Sequence, residues 1–164
     1  MALAGLSTLG VELGYAVGAT KPNSLTRLTR INSIGSISLS TEAIDASALD
    51  DDVTRRVAGR ADTDETLSVT INANDVTIAE WEAVITAFNG ISGSQELWFE
   101  VYHPRLTKGF WFKAEPPKKL PMPEMGQNQL LTMEINLVVT EYVGMDTAVD
   151  PTGTTGSTGS TGTT

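Results

Sequence analysis

The chain has no cysteine among its 164 residues. This absence excludes disulfide bonds, thiolate catalysis and zinc sites built on cysteine ligands. Histidine is almost absent too, because His103 is the only one. It lies beside Pro104 at the end of a predicted strand, a position typical of a turn or surface histidine. A catalytic triad built on it would also need a nucleophile motif, and no GxSxG is present.

Nucleotide-binding motifs and long apolar runs are also missing. The sequence contains neither GxGxxG nor GxxxxGK[ST]. No apolar run approaches the roughly 20 residues that a membrane-spanning helix needs. The first residues lack the basic region and the long apolar segment of a signal peptide. We therefore expect no enzyme activity, no cofactor and no membrane insertion.

Basic residues are few. The chain has 11 lysines and arginines against 20 aspartates and glutamates, and its net charge is -9. Tight nucleic-acid binding requires basic side chains on the phosphates, so this surface is expected to repel DNA. The same charge favours solubility. The length fits one domain with appendages, and the hydrophobic content of 40% is ordinary for a globular domain.

Short β-strands are predicted near the N-terminus. Residues 9–17 show strand alternation inside a segment, 1–24, that we interpret as an N-terminal arm. Two further strands are predicted at 25–31 and 34–39. In the second of these, apolar residues alternate with serines. We expect Ile37 and Leu39 to face the core and Ser36 and Ser38 to face outward.

Later segments give stronger strand patterns. Residues 65–72 alternate cleanly, 95–102 and 108–114 are predicted to form a hairpin, and 129–143 is an unusually long strand. On the last strand, Thr132, Glu134 and Asn136 alternate with apolar residues and are expected to face outward. The predicted core positions of these strands are Leu67, Val69, Ile71, Met133, Ile135 and Leu137.

One amphipathic helix is predicted over residues 77–89. Thr77 and Glu80 have the spacing of a capping box, and Gly90 follows the last helical residue. Apolar side chains recur on one face at helical spacing, which predicts that this face packs on a sheet. These residues are Ile78, Trp81, Val84, Ile85 and Phe88.

An acidic loop is predicted at residues 45–63. It is too long for a hairpin turn and too polar to be buried, and loops of this length are usually functional or disordered. The EF-hand spacing is absent, which leaves a loose cation site as a minor alternative. The mixed charges could pair between copies of the chain. The candidate contact residues are Asp50, Asp51, Asp52, Arg55, Arg56 and Arg60.

Aromatic residues concentrate in the predicted hairpin at 95–114. Burial in a core or in a subunit contact is the simpler interpretation. The alternative is an exposed sugar-stacking platform formed by Trp98, Tyr102 and Trp111. A proline-rich connector follows at 115–127 and is expected to be extended. The last segment, 144–164, ends in a run of Gly, Ser and Thr that cannot order itself.

Three stretches together resemble the major tail tube protein of long-tailed, siphovirus-type bacteriophages. The first is SIGSISLSTEAIDASALDDD, which contains an E-x-I-D-x-[ST]-x-L-x-D element. The second is RRVAGRADTDETLSVTIN. The third is FWFKAEPPKKLPMPEMGQNQLLTMEINLVVT. The resemblance covers residues 25–143, which we take as the tail-tube-like domain.

This resemblance implies a mainly β fold, a β-sandwich or half-barrel with one flanking helix. It implies that six copies form a ring and that rings stack into a hollow tube for DNA ejection. The implied partners are other copies of the chain, a tape-measure protein, and tail terminator and distal tail proteins. DNA is a partner only in transit. The implied location is the virion, after assembly in the host cytoplasm.

Outward-facing polar residues of the tube domain are the candidates to line its lumen. They are Ser36, Ser38, Thr132, Glu134 and Asn136. Two alternatives stay open. One is a tube protein of a contractile injection or type VI-like secretion system, which would share the fold and carry another cargo. The other is a monomeric β-sandwich that binds carbohydrate through its aromatic residues.

Overall fold

Nine strands and one helix form in the computed structural model, which describes residues 5–151. In chain order they are β1 Glu12–Gly18, β2 Thr26–Leu28, β3 Ile31–Ile34, β4 Leu39–Asp45, β5 Arg56–Thr63, β6 Thr66–Asn72, α1 Asp75–Asn89, β7 Glu96–Tyr102, β8 Lys108–Glu115 and β9 Thr132–Thr147. The expected mainly β fold with one helix is confirmed.

Seven strands form one antiparallel sheet in the order β2-β1-β7-β8-β9-β6-β3. The long strand β9 joins its two halves. Its first part, from Thr132 to Val138, pairs with β6, and its later part, to Thr147, pairs with β8. The remaining strands, β4 and β5, pair only with each other as a separate hairpin.

One face of the large sheet forms the core, and α1 packs on it. Because side chains alternate along a strand, every second residue of β6 and β9 points to this face. Trp81 and Val84 of α1 are fully buried there, while Ile78, Ile85 and Phe88 are half-buried. The predicted strand core is confirmed, since all six residues are buried: Leu67, Val69, Ile71, Met133, Ile135 and Leu137.

The helix begins two residues before the predicted start. Asn74 is the N-cap, and its side chain accepts hydrogen bonds from the backbone N–H groups of Val76 and Thr77. The Thr77 hydroxyl accepts from the Asn74 N–H at 2.9 Å. The predicted Thr77–Glu80 capping box is therefore wrong. Glu80 instead accepts two hydrogen bonds from Thr29, and asparagine is an equally good cap.

Part of the predicted N-terminal arm lies inside the sheet. Residues 12–18 form β1, which is hydrogen-bonded on both sides, to β2 and β7. Leu13 and Tyr15 are buried in the core, so the apolar positions that predicted a strand also fix it to the domain. The division of the chain into 1–24, 25–143 and 144–164 otherwise stays a prediction. The Gly/Ser/Thr run at 152–164 lies outside the described residues.

The predicted strand at 34–39 and the acidic loop at 45–63 need correction. The chain leaves the sheet after Ile34, and Leu39 is 57% exposed at the start of β4 instead of facing the core. Residues 56–63 form β5, so the loop is confined to residues 46–55. Nearly every residue on both faces of this hairpin is exposed. Without a buried face, its sequence does not alternate between apolar and polar residues.

The burial of Leu67 provides a test of the core. We expect Leu67→Ala to lower the free energy of unfolding by about 2–5 kcal/mol, because it removes buried methyl groups and leaves a cavity. Leu49→Ala is the matched control, since Leu49 is fully exposed in the hairpin loop, and its effect should stay within about 0.5 kcal/mol. Urea denaturation measures both. Equal effects of the two substitutions would contradict the assigned core.

Candidate functional site

The sheet face opposite the helix is polar and uncovered along β6 and β9. Glu134 and Asn136 are exposed there, and Thr132 is half-buried. The Ser68 hydroxyl of β6 donates to the Asn136 side chain at 2.7 Å across the strand pair. We call the surface formed by Ser68, Thr70, Thr132, Glu134 and Asn136 the polar face. It offers hydroxyl and amide groups, one carboxylate and no basic side chain.

Two of the predicted lumen residues do not lie on this face. Ser36 is in the segment between β3 and β4, outside any strand. The backbone N–H and the hydroxyl of Ser38 both donate to Asp64, at 2.8 and 2.7 Å, and close the base of the hairpin. These hydrogen bonds hold the pKa of Asp64 below its usual value. Only Thr132, Glu134 and Asn136 of the predicted set share one surface.

Toward β1, β7 and β8 the same sheet face is covered by other parts of the chain. Residues 148–151, which we call the C-terminal strap, cross it, and Pro151 packs against Gly14. The Lys21 ammonium lies 4.7 Å from the centre of the Trp111 ring and donates to the Thr147 carbonyl at 2.8 Å. The strap and the segment after β1 therefore both lie over this half of the sheet.

Burial of the indoles removes the sugar-binding alternative in its predicted form. Trp98 and Trp111 are buried, in edge contact with ring centres 6.4 Å apart. The Trp98 N–H donates to the Gly18 carbonyl at 3.1 Å, and the Lys113 ammonium lies 4.7 Å from the centre of its ring. Flat, exposed aromatic faces are needed for stacking on a sugar, and these two side chains do not present any.

Glu100 is a fully buried carboxyl group on the covered half of the face. Its Oε1 accepts from the Val149 N–H of the strap at 3.0 Å, and its Oε2 has no hydrogen-bond partner among the described residues. The carboxyl lies directly over Gly109, where a Cβ atom would collide with it. Burial raises the pKa of Glu100 to about 7, against the lowering effects of the Val149 N–H and Lys21.

The hairpin of β4 and β5, residues 39–63, is the most exposed part of the described chain, and we call it the distal hairpin. Arg55 and Asp51 form an ion pair at 3.2 Å within the loop itself. Asp50, Asp52, Arg56 and Arg60 are exposed, and no ion pair is formed by them within residues 5–151. Of the six predicted contact residues, two are therefore already paired with each other, and a bridge between copies through any of them stays a prediction.

His103 has a structural role in the turn after β7. It occupies a turn, as predicted, but the side chain is only 8% exposed. Its Nε2 lies 2.7 Å from the Ser7 carbonyl, and its Nδ1 accepts from the Arg105 N–H at 3.1 Å. Since a carbonyl only accepts, Nε2 is the nitrogen that donates. The histidine thus holds the segment before β1 against the β7–β8 turn.

Residues 5–151 contain no group of three His, Asp or Glu side chains placed to hold a metal ion, and the acidic loop is no exception. The helix of the described region is neither long nor apolar enough to cross a membrane.

Comparison with known proteins gives matches only among solved structures. No protein-family model and no curated protein matches the chain. A protein from the tail of an empty GTA particle, determined with helical refinement and C6 symmetry, superimposes with a TM-score of 0.58. It is 12% identical, and the match covers 88% of this chain and 99% of that one. The chain has the fold of a tail protein.

A second similar structure comes from the sixfold-symmetrised baseplate of the anti-feeding prophage (AFP). The match covers 90% of this chain and 97% of the baseplate chain, with 14% identity and a TM-score of 0.48. At such low identities, likeness shows the fold and nothing finer. Because the identities are this low, the roles of the hairpin and the polar face have to be argued from the geometry of this chain.

The cluster of Glu100, Gly109, Lys21 and the strap is not predicted by any of the sequence patterns described above. One signal was available, since Glu100 interrupts the otherwise apolar run LWFEVY of β7. A charged residue inside such a run indicates either an exposed face or a buried group with a partner. Its partner, Val149, is 49 residues away in the chain, which no local pattern reveals.

The raised pKa of Glu100 predicts a pH-dependent stability. The folded-state pKa of about 7 lies above the usual value of 4.5, so stability falls as pH rises from 4.5 to 7 and stays low above that. Glu100→Gln removes this effect. We expect the variant to gain roughly 1–3 kcal/mol over the native protein between pH 5 and pH 8, measured by urea unfolding. Glu124→Gln, in the exposed connector, is the control and should show no such gain.

Proposed function

We propose that this protein is a non-enzymatic structural protein of a phage-like tail, whose copies form rings of six that stack into a hollow tube. The observation that carries the proposal is the fold, which matches a chain of the GTA tail over 99% of its length. That particle has C6 symmetry. The siphovirus-type tail suggested by the sequence resemblance is part of the same proposal.

The polar face is the proposed wall of the lumen. Its hydroxyl and amide groups can hydrogen-bond water, and its carboxylate, Glu134, repels phosphate at short range. No lysine or arginine lies in this set to hold DNA by counterion release. A wall of this kind lets DNA pass without adhering. The acidic balance of the whole chain, with a net charge of -9, supports the same role.

The remaining parts of the proposal concern partners and place. The tube would assemble around a tape-measure protein and be completed by tail terminator and distal tail proteins. DNA would contact it only during ejection. Assembly would occur in the host cytoplasm and the product would reside in the virion. The exposed hairpin, which contributes no residue to the core cluster, supports a role in contacts between copies.

Electron microscopy tests the tube directly. We expect the purified protein, examined by negative stain over a range of concentrations, to form rings or hollow tubes. A head-to-tail contact that does not close on itself gives a filament, so tube length should increase with concentration. A monodisperse monomer at every concentration, also in the presence of preformed tail tips as initiators, would refute the proposal.

Reversing the charge of the lumen wall tests the polar face. We expect Glu134→Lys tubes to retain added double-stranded DNA, with retention lost as salt is raised, because lysines then neutralise phosphates. Glu82→Lys is the matched control, since Glu82 is exposed on the helix, on the other side of the sheet. Co-sedimentation of labelled DNA with tubes measures both. If the two variants retain DNA equally, the polar face does not line the lumen.

A further inference from the structure

An apolar groove lies on the core face of the sheet. It has a volume of about 650 Å³ and is open to solvent in the described part of the chain. Half-buried apolar side chains line it from β3, β7, β8 and β9 and from the segment between β3 and β4. The principal ones are Ile34, Ile37, Val101, Leu106, Phe110 and Tyr142. Concave, largely apolar pockets of about 300–1,000 Å³ are typical of binding sites.

The hairpin of the same chain carries apolar side chains without cover. Ile44 and Val57 are directly opposite each other across β4 and β5, so they share one face, while the neighbouring pair Asp45 and Arg56 points to the other. Ile44 is 51% exposed and Val57 is 53% exposed. The adjoining loop adds Leu49 and Val53, both largely exposed. The distal hairpin therefore presents an apolar face with charged residues behind it.

Charge complements this shape. The hairpin, residues 39–63, carries six acidic and three basic side chains, a net charge of -3. Two exposed basic residues lie next to the lining residues His103 and Leu106 in the chain, Arg105 in the turn between β7 and β8 and Lys108 at the start of β8, and we call them the basic rim. His103 and Leu106 of this turn line the groove, and the hydrogen bonds of His103 keep the turn in place. An acidic hairpin is thus attracted to a basic rim.

We propose that the groove is the docking site for the distal hairpin of a second copy of this chain, with Ile44 and Val57 facing the groove. The contact joins two different surfaces, so a pair of copies keeps one free hairpin and one free groove, and the contact can be repeated. Closure of such a contact gives a ring, and absence of closure gives a filament. The inference rests on the proposed tube, because it names the contact between its subunits.

The lack of cysteine makes cross-linking a sharp test. Two single variants, Val57→Cys and Leu106→Cys, are purified separately, mixed in equal amounts and treated with a mild oxidant. A disulfide requires Cα atoms roughly 4.4–6.8 Å apart. We expect a heterodimer of the two variants as the main cross-linked product. Its yield should be at least fivefold higher than the yield of homodimer from either variant oxidised alone. Thr8→Cys, also at the groove, replaces Leu106→Cys if the latter fails to fold.

Ala58→Cys is the matched control on the hairpin. It neighbours Val57 but pairs with Ala43, so its side chain points to the opposite face. Mixed with Leu106→Cys, it should give little heterodimer. Equal yields from Val57→Cys and Ala58→Cys, or no heterodimer from either groove variant, would overturn the docking.

Charge reversal gives a second, independent readout. The double substitution Arg105→Glu with Lys108→Glu, added to the groove variant, should slow heterodimer formation on the order of tenfold at low salt. Asp50→Lys with Asp52→Lys on the hairpin variant should restore the rate. Unchanged rates in both combinations would refute a basic rim that attracts the hairpin.

The outcome separates this inference from the proposed function. Tubes that form without the cross-link would leave the tube standing and overturn the docking. Cross-linked heterodimers without rings or tubes would support the docking and refute the tube. Neither tubes nor cross-links would refute both.

Discussion

Packing of α1 on one face of the seven-stranded sheet is the contact on which the rest of the molecule depends. Trp81 of the helix is fully buried, and it belongs to the same core cluster as the inward residues of β6 and β9. Because this single layer of apolar contact supplies the core, the opposite sheet face need not be apolar. For the same reason, the β4–β5 hairpin does not need to contribute side chains to the core. The polar face and the hairpin, which we propose for the lumen and for contacts between copies, are surfaces that the core does not use.

How far the sequence predicts the structure depends on whether a strand has one buried side. The alternation of Leu67, Val69 and Ile71 identifies β6 and its inward face correctly, since burial on one side imposes a period of two. The hairpin fails the same test. Both faces of β5 are exposed, so there is no requirement for apolar residues at alternate positions. Its sequence therefore has the polar pattern of a loop. Its pairing with β4 is held by backbone hydrogen bonds, which every residue except proline can both donate and accept.

The covered half of the second face was beyond prediction for another reason. There Lys21, Trp111, Glu100 and the strap come together from distant parts of the chain, and each looks ordinary in its local context. For the candidate site, Thr132, Glu134 and Asn136 could be placed on one surface because they share a strand with strong alternation. Ser36 and Ser38 could not, because their placement depends on where the chain leaves the sheet.

The close approach of Glu100 to Gly109 links two positions across β7 and β8. Only a residue without a side chain fits beneath the carboxyl group, so the size of one position sets the size of the other. A side chain at position 109 therefore requires a shorter residue at position 100. In relatives of this chain, a side chain at the position of Gly109 should coincide with a short residue at that of Glu100, and the strap that binds the carboxyl should then take another path. Covariation of these two positions would mark which relatives hold residues 148–151 against the sheet in the same way.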